Sequence, residues 1–255
     1  MRTVAVHRDA VVITSLMWQT NAVALRVGDE AMLVDSPYYP EELDALPGIL
    51  AGAGFHPDAL IATHADYDHV LGRVAFPGLA LGLAESSVER LRREPGTTQR
   101  ELRDKDAELY VERPSPLALG QVQSLPVPGS VELGEQELEL HPAEGHTPDG
   151  MALFARWCGV LCVGDYLSPV EIPWIRGSLA DYRATLSRLA PLVEAAETVV
   201  PGHGSPSERD TALKLLEQDS EYLDELARGD EKVRLPKGRD SKEQHSIHAE
   251  NLTRV

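Results

Sequence analysis

The chain has 255 residues, enough to bury a substantial core in one large domain or in one domain with a helical appendix. Its 42% hydrophobic and 25% charged residues are ordinary for a soluble globular protein. With 41 acidic against 24 basic residues the formal net charge is −17, which repels phosphate backbones and disfavours nucleic acid as a partner.

The N-terminal residues contain no charged stretch followed by a long apolar one, so no signal peptide is expected there. No apolar run approaches the length of a membrane span. AVVITSL (10–16), NAVALRVG (21–28) and AMLVDS (31–36) read as strands separated by polar breaks. PEELDALPGILAGAG (40–54) places Leu43, Leu46, Ile49 and Leu50 at helical spacing, with Pro47 expected to kink or split the helix. ALIAT (59–63) is a short buried strand, and it runs directly into THADYDHVLG (63–72). LALGLA (79–84) reads as a further strand. The charged stretch over 85–109 predicts helical pieces broken at Pro95-Gly96, its charges forming a solvated face.

Short strand-like segments dominate from 115 to 142, and MALFAR (151–156) and VLCVGD (160–165) follow as core strands. Cys158 and Cys162 lie four apart on a segment read as a strand, where they cannot easily bridge; buried free thiols and a cytoplasmic setting are expected. Leu179, Tyr182, Leu186, Leu189 and Val193 mark one amphipathic helix, and Leu216, Leu223 and Leu226 a second. Residues 230–255 are polar and weakly patterned, a tail or a terminal helix. Strand-rich stretches come twice, each followed by helices, which predicts mixed α/β layers.

Four loops just after apolar strands carry ligand-type residues: THADYDH with His64, Asp66, Asp68 and His69, GHTPDG with His146, VGDY with Asp165, and VPGHG with His203. Imidazole and carboxylate without thiolate suit zinc, iron or manganese. Seven such side chains are too many for one tetrahedral ion and the right number for two divalent ions sharing a carboxylate. Tyr67 and Tyr166 flank ligands, and Trp174 lies in the apolar SPVEIPWI (168–175); all three are candidates for a substrate pocket. Arg73 and Arg176 are single basic candidates near the motifs, with no basic cluster beside them.

On THADYDH, GHTPDG, GDY and PGHG, with VDSP (34–37) upstream, the sequence resembles the metallo-β-lactamase superfamily over roughly residues 10 to 205. The resemblance implies a four-layer αβ/βα sandwich of two mixed β-sheets, helices on the outer faces and metals at one edge of the sheets. Residues 1–229 would be the catalytic domain, with a helical insertion at about 85–115. His64, Asp66 and His146 would hold the first ion and Asp68, His69 and His203 the second, with Asp165 bridging. Asp68 would orient the attacking hydroxide, and Asp35 would fix the ligand geometry from behind.

The implied activity is hydrolysis of a thioester, ester or lactone of a small molecule by a metal-bridged hydroxide, as in glyoxalase II-like thioesterases and lactonases. The departure is Asp66, where family members usually have His and diiron members carry Glu. A carboxylate there makes the first half more anionic, opening iron or manganese beside zinc. A full pair, a weak first half and a single ion all remain open. An iron-dependent oxidoreductase, diiron or persulfide dioxygenase-like, and a non-catalytic binding module are the alternative functions. The oligomeric state is not readable.

Overall fold

The computed structural model describes residues 1–229 and 233–254. Among them, two mixed sheets carry the fold. The first has seven strands in sequential order: β1 (Arg2–His7), β2 (Ala10–Thr14), β3 (Asn21–Val27), β4 (Glu30–Asp35), β5 (Pro57–Ile61), β6 (Leu81–Ala84) and β7 (Val122–Leu125). Its first four strands are an antiparallel meander, while β4 to β7 run parallel. The parallel crossovers are filled by α1 (Pro40–Gly52), the short α2 (Gly72–Ala75), α3 (Glu85–Arg93) and α4 (Thr97–Leu109). The second sheet has β8 (Gly129–Leu133), β9 (Gln136–Pro142), β10 (Met151–Ala155), β11 (Val160–Cys162), β12 (Thr198–Val200) and β13 (Ser207–Glu208), in the order 13-12-11-10-9-8. There β11 and β12 are the parallel pair, joined through α5 (Leu179–Ala195). Helix α6 (Arg209–Ala227) packs beside α5, and α7 (Lys242–Asn251) lies within the segment read as tail or helix.

The layering follows from strand alternation. Val12, Val23, Leu25, Met32 and Val34 of the first sheet meet Met151, Leu153, Val160, Cys162 and Val200 of the second in an inter-sheet core. The intervening residues Val11, Ile13, Ala24 and Leu33 face outward onto Leu43, Leu46 and Leu50 of α1. Phe154, Leu161 and Val199 likewise face Leu186, Leu189 and Leu223 of the outer helices. Strands covered on both faces read as continuous apolar runs, which is why β2, β3 and β4 carry no polar alternation. The result is the expected αβ/βα sandwich.

Three local readings differ. β1 went unread because its residues are largely exposed; it pairs with β2 as an edge strand. Pro47 neither splits nor ends α1, which runs unbroken through it. The 85–115 region does break between α3 and α4, but its face is not wholly solvated: Ser87, Val88, Arg90, Leu102 and Asp106 are buried. Cys158 and Cys162 are free and buried.

Candidate metal centre

The four motif loops leave the strand ends at one edge of the sandwich. The two sheets are tied together there by backbone hydrogen bonds, from Met151 N to Thr63 O (2.7 Å) and from Asn21 N to Gly202 O (2.8 Å). Asn21 Nδ2 also donates to the carbonyls of Pro201 and Gly204.

Asp165 stands at the middle. Its Oδ2 lies 3.1 Å from His146 Nε2, 3.4 Å from His203 Nε2 and 3.8 Å from His64 Nε2, and its Oδ1 lies 3.2 Å from His69 Nε2. Asp68 Oδ2 lies 3.4 Å from His203 Nε2 and 3.7 Å from His69 Nε2. Asp66 Oδ2 is 3.8 Å from His64 Nε2. Ligand atoms of His64, Asp66 and His146 lie within 4.8 Å of one another, as do those of Asp68, His69 and His203. The structure therefore brings all seven side chains together, in two triads that share Asp165.

The rings are aimed from behind. Thr63 Oγ1 is 3.1 Å from His64 Nδ1, and Asp35 accepts from both Thr63 N (2.7 Å) and Thr63 Oγ1 (2.9 Å). Asp35 Oδ2 is also 3.1 Å from His69 Nδ1. His146 Nδ1 meets the Trp174 carbonyl at 3.1 Å and His203 Nδ1 the Trp18 carbonyl at 3.3 Å. With Nδ1 of His64, His146 and His203 hydrogen-bonded and Nδ1 of His69 turned toward the Asp35 carboxylate, the Nε2 atoms point to the centre. Backbone strain supports this: Asp35, Trp18 and Gln19 hold left-handed dihedrals, with φ of 56°, 48° and 53°. Gly202 passes so close that a Cβ there would overlap Asp165 Oδ1.

Two observations test whether a metal fits. His64 Nε2, Asp66 Oδ1, His69 Nε2 and Asp165 Oδ1 are buried without a hydrogen-bond partner, which is costly unless something else engages them. The local charge also calls for a cation. Burial works against a protonated His203, yet Glu171, Asp165 and Asp68 raise its pKa to about 10. Burial also opposes protonation of His69, and Asp165, Asp68 and Asp35 again outweigh it. Burial would raise Asp165, but the surrounding histidines hold it well below the usual carboxylate range. His64 goes the other way, lowered to about 4 by burial and then by its His69 neighbour. The carboxylates around His69 and His203 thus favour positive charge there, which a divalent ion could supply. The donor set fits.

Asp66 has further company, of which the sequence announced only Arg176. Arg176 Nη1 donates to its Oδ2, and Arg90 Nη2 lies 2.8 Å from its Oδ1. Arg90 also donates to Asp149 Oδ1 (2.8 Å), while Asp149 Oδ2 accepts from Ala65 N in the motif loop. Burial pushes the Asp66 carboxyl up, but Arg176, His64 and Arg90 pull it well below its usual range. The expected extra negative charge of the first half is therefore offset on the spot. Arg90 sits in a stretch whose charges read as solvent-facing, and Asp149 in what reads as a turn, so neither gave a separable signal.

A cavity of about 390 Å³ opens onto the ligands. Trp18, Tyr67 and Trp174 form its aromatic wall; Glu101, Asp104, Glu108, Glu171 and Glu243 add carboxylates, and Ile247 of α7 closes one side. Burial, then the nearby carboxylates against His203, leaves Glu171 raised to about 7. Tyr166 is not part of this wall. It is buried, its hydroxyl accepts from His146 N (3.0 Å) and donates to the Ala143 carbonyl, and its ring packs against Tyr182 at a tilt of 51°. Arg73 packs against Gly120 outside the cavity lining. Within 168–175, Ile172 and Ile175 join the core while Glu171 and Trp174 face the cavity.

The family model described as the metallo-beta-lactamase superfamily matches residues 17–203. Among solved structures, a metallo-beta-lactamase family protein from Thermus thermophilus aligns with 22% identity and a TM-score of 0.66, over 88% of this chain and 82% of that one. The stereoselective inverting sec-alkylsulfatase Pisa1 from Pseudomonas sp. aligns with 13% identity and a TM-score of 0.72, over 92% of this chain but 45% of that one. The DIM-1 metallo-beta-lactamase aligns with 18% identity and a TM-score of 0.60, over 85% and 96%. These identities carry the fold alone. No curated protein matches the chain.

Proposed function

The chain belongs to the metallo-beta-lactamase superfamily, and from that premise we propose that it is a metal-dependent hydrolase cleaving a thioester, ester or lactone of a small molecule. The observation that carries the reading is the convergence of His64, Asp66, Asp68, His69, His146, Asp165 and His203, five of which line an open cavity, with His64 Nε2, Asp66 Oδ1, His69 Nε2 and Asp165 Oδ1 buried and unpartnered. Two divalent ions, zinc or else iron or manganese, would supply there an activated water at neutral pH and polarise the carbonyl under attack. Asp165 would be common to both sets of ligands. Asp68, which lines the cavity, would accept a hydrogen bond from the attacking water and so orient it.

The cavity wall supports a substrate charge. Its carboxylates outnumber its two cations, and both cations are already paired, Lys105 with Glu108 at 2.7 Å and Arg176 with Asp66. A polyanionic substrate would be repelled; Trp18, Tyr67 and Trp174 offer faces to an apolar or cationic acyl group. The oxidoreductase alternative drew on the carboxylate at position 66. That carboxylate is engaged by Arg90 and Arg176, so no observation favours the alternative.

The test is turnover by the metal-reconstituted protein of neutral, cationic and anionic thioesters, esters and lactones, with a β-lactam and a sulfate ester alongside. Turnover of a neutral or cationic acyl substrate is expected, falling at least 100-fold in Asp68→Ala if that carboxylate serves the attacking water. Bound metal with no hydrolysis of any of them, or hydrolysis of the sulfate ester alone, would overturn the reading.

A further inference from the structure

We infer that the two halves of the centre bind their ions unequally: Arg90 and Arg176 keep Asp66 as their counter-ion, so the His64–Asp66–His146 half is the weak one. This rests on the metal-centre reading above and adds to it the residues that set the inequality. The argument begins with lone pairs. Both oxygens of Asp66 face a guanidinium: Oδ2 accepts a hydrogen bond from Arg176 Nη1, and Oδ1, which has no hydrogen-bond partner, is in ion-pair contact with Arg90 Nη2 at 2.8 Å. A guanidinium and a metal ion compete for the same carboxylate electrons, and two guanidiniums beside a divalent cation repel it. Asp68 is different. Among the described residues, its carboxylate has ion-pair contacts only with His69 and His203.

The charge on offer therefore differs between the halves. His64 and His146 are neutral ligands, and with Asp66 neutralised the first half is left with its share of Asp165. The second half has the same share plus Asp68, which among the described residues has no guanidinium contact. Ions prefer the half that keeps its anionic donor.

The arginines are also held in place from elsewhere. Arg90 is buried on α3 and anchored by Asp149 at 2.8 Å. Arg176 N donates to the His146 carbonyl at 2.8 Å, its guanidinium lies 5.2 Å from the Trp174 ring centroid, and its Nη2 is 3.8 Å from Glu101. A clamp braced on three sides does not swing away when an ion arrives. Arg176 is the more exposed of the two arginines, so it is the one to alter without emptying the core.

The experiment is uptake of Co²⁺ by metal-stripped protein, followed by visible absorption and by native mass spectrometry. Wild type should fill one site first and a second at least tenfold more weakly. His146→Ala should abolish the weak event and spare the tight one. Arg176→Gln should tighten the weak event by about tenfold, the lower end of what groups around a ligand do to metal affinity. Arg176→Lys, which keeps the charge, should retain the gap. Circular dichroism checks that each variant folds. Two equal events in wild type, loss of the tight event in His146→Ala, or weaker uptake in folded Arg176→Gln would overturn the inference; the last would mean that the arginine orients Asp66 toward the ion. Equal sites with hydrolysis intact would defeat this inference alone, whereas no uptake of any ion would defeat the hydrolase reading with it.

Discussion

Asp35 serves two histidines with one carboxylate. It closes β4 in a left-handed conformation, accepts two hydrogen bonds from Thr63, and lies 3.1 Å from His69 Nδ1, while Thr63 passes the constraint on to His64. Replacing Asp35 with Ala should lower metal affinity 10- to 100-fold, as loss of such a supporting group does elsewhere. Competition with a chromophoric chelator measures it, and unchanged affinity would show that Thr63 alone holds the rings. At this scale the sequence was uneven. The seven ligand-type residues stood out because each follows an apolar run, where few polar side chains compete for notice. Arg90 did not, since in ESSVERLRR (85–93) its charge is one of several, and only the packing of α3 tells which points inward. Trp18 was equally silent: it enters through its carbonyl and its left-handed backbone, which no residue pattern encodes.

The last helix teaches a similar lesson about elements. Its sequence is polar, and no apolar stripe announces a docking face. It docks through amides instead. Gln244 Oε1 accepts from Ile172 N (2.7 Å), Asn251 Oδ1 accepts from Ile175 N (2.9 Å), and Asn251 Nδ2 donates to the Pro173 carbonyl (2.6 Å). Ser241 caps the helix by accepting from Gln244 N. In effect α7 supplies hydrogen bonds for a buried loop that has no strand partner, and that loop carries Glu171, Trp174 and Arg176. Removing both amides by Gln244→Ala and Asn251→Ala leaves two buried N–H groups unmade, each costing about 1–3 kcal/mol. We expect faster hydrogen exchange at Ile172 and Ile175 and a raised KM, with metal content unchanged. Protected amides in the double variant would show that the loop stands without α7.

For the molecule as a whole, mixed α/β layering was legible from the two successions of strands and helices, and the resemblance supplied the sandwich. Strand order was not legible, because runs buried on both faces look alike whether paired in parallel or antiparallel. The candidate ligands at the functional edge are drawn from both sheets: His64, Asp66, Asp68 and His69 follow β5 of one sheet, while His146, Asp165 and His203 belong to loops of the other. An ion bound there stabilises the native state by mass action, about 4 kcal/mol when free metal is 1,000 times the dissociation constant. For a chain of this size that is roughly 10 °C in Tm. Chelation should lower Tm by that order and restored metal should recover it, as calorimetry can measure; an unmoved transition would mean that no ion spans the sheets.

Position 202 offers the centre nothing chemical, yet everything crowds around it. A Cβ built there would run into the shared aspartate, with the His69 ring pressed on the same spot. Adding even a methyl group would shove the shared carboxylate off axis and disturb both triads in one stroke. A residue with no reactive group is therefore one whose replacement the arrangement cannot absorb.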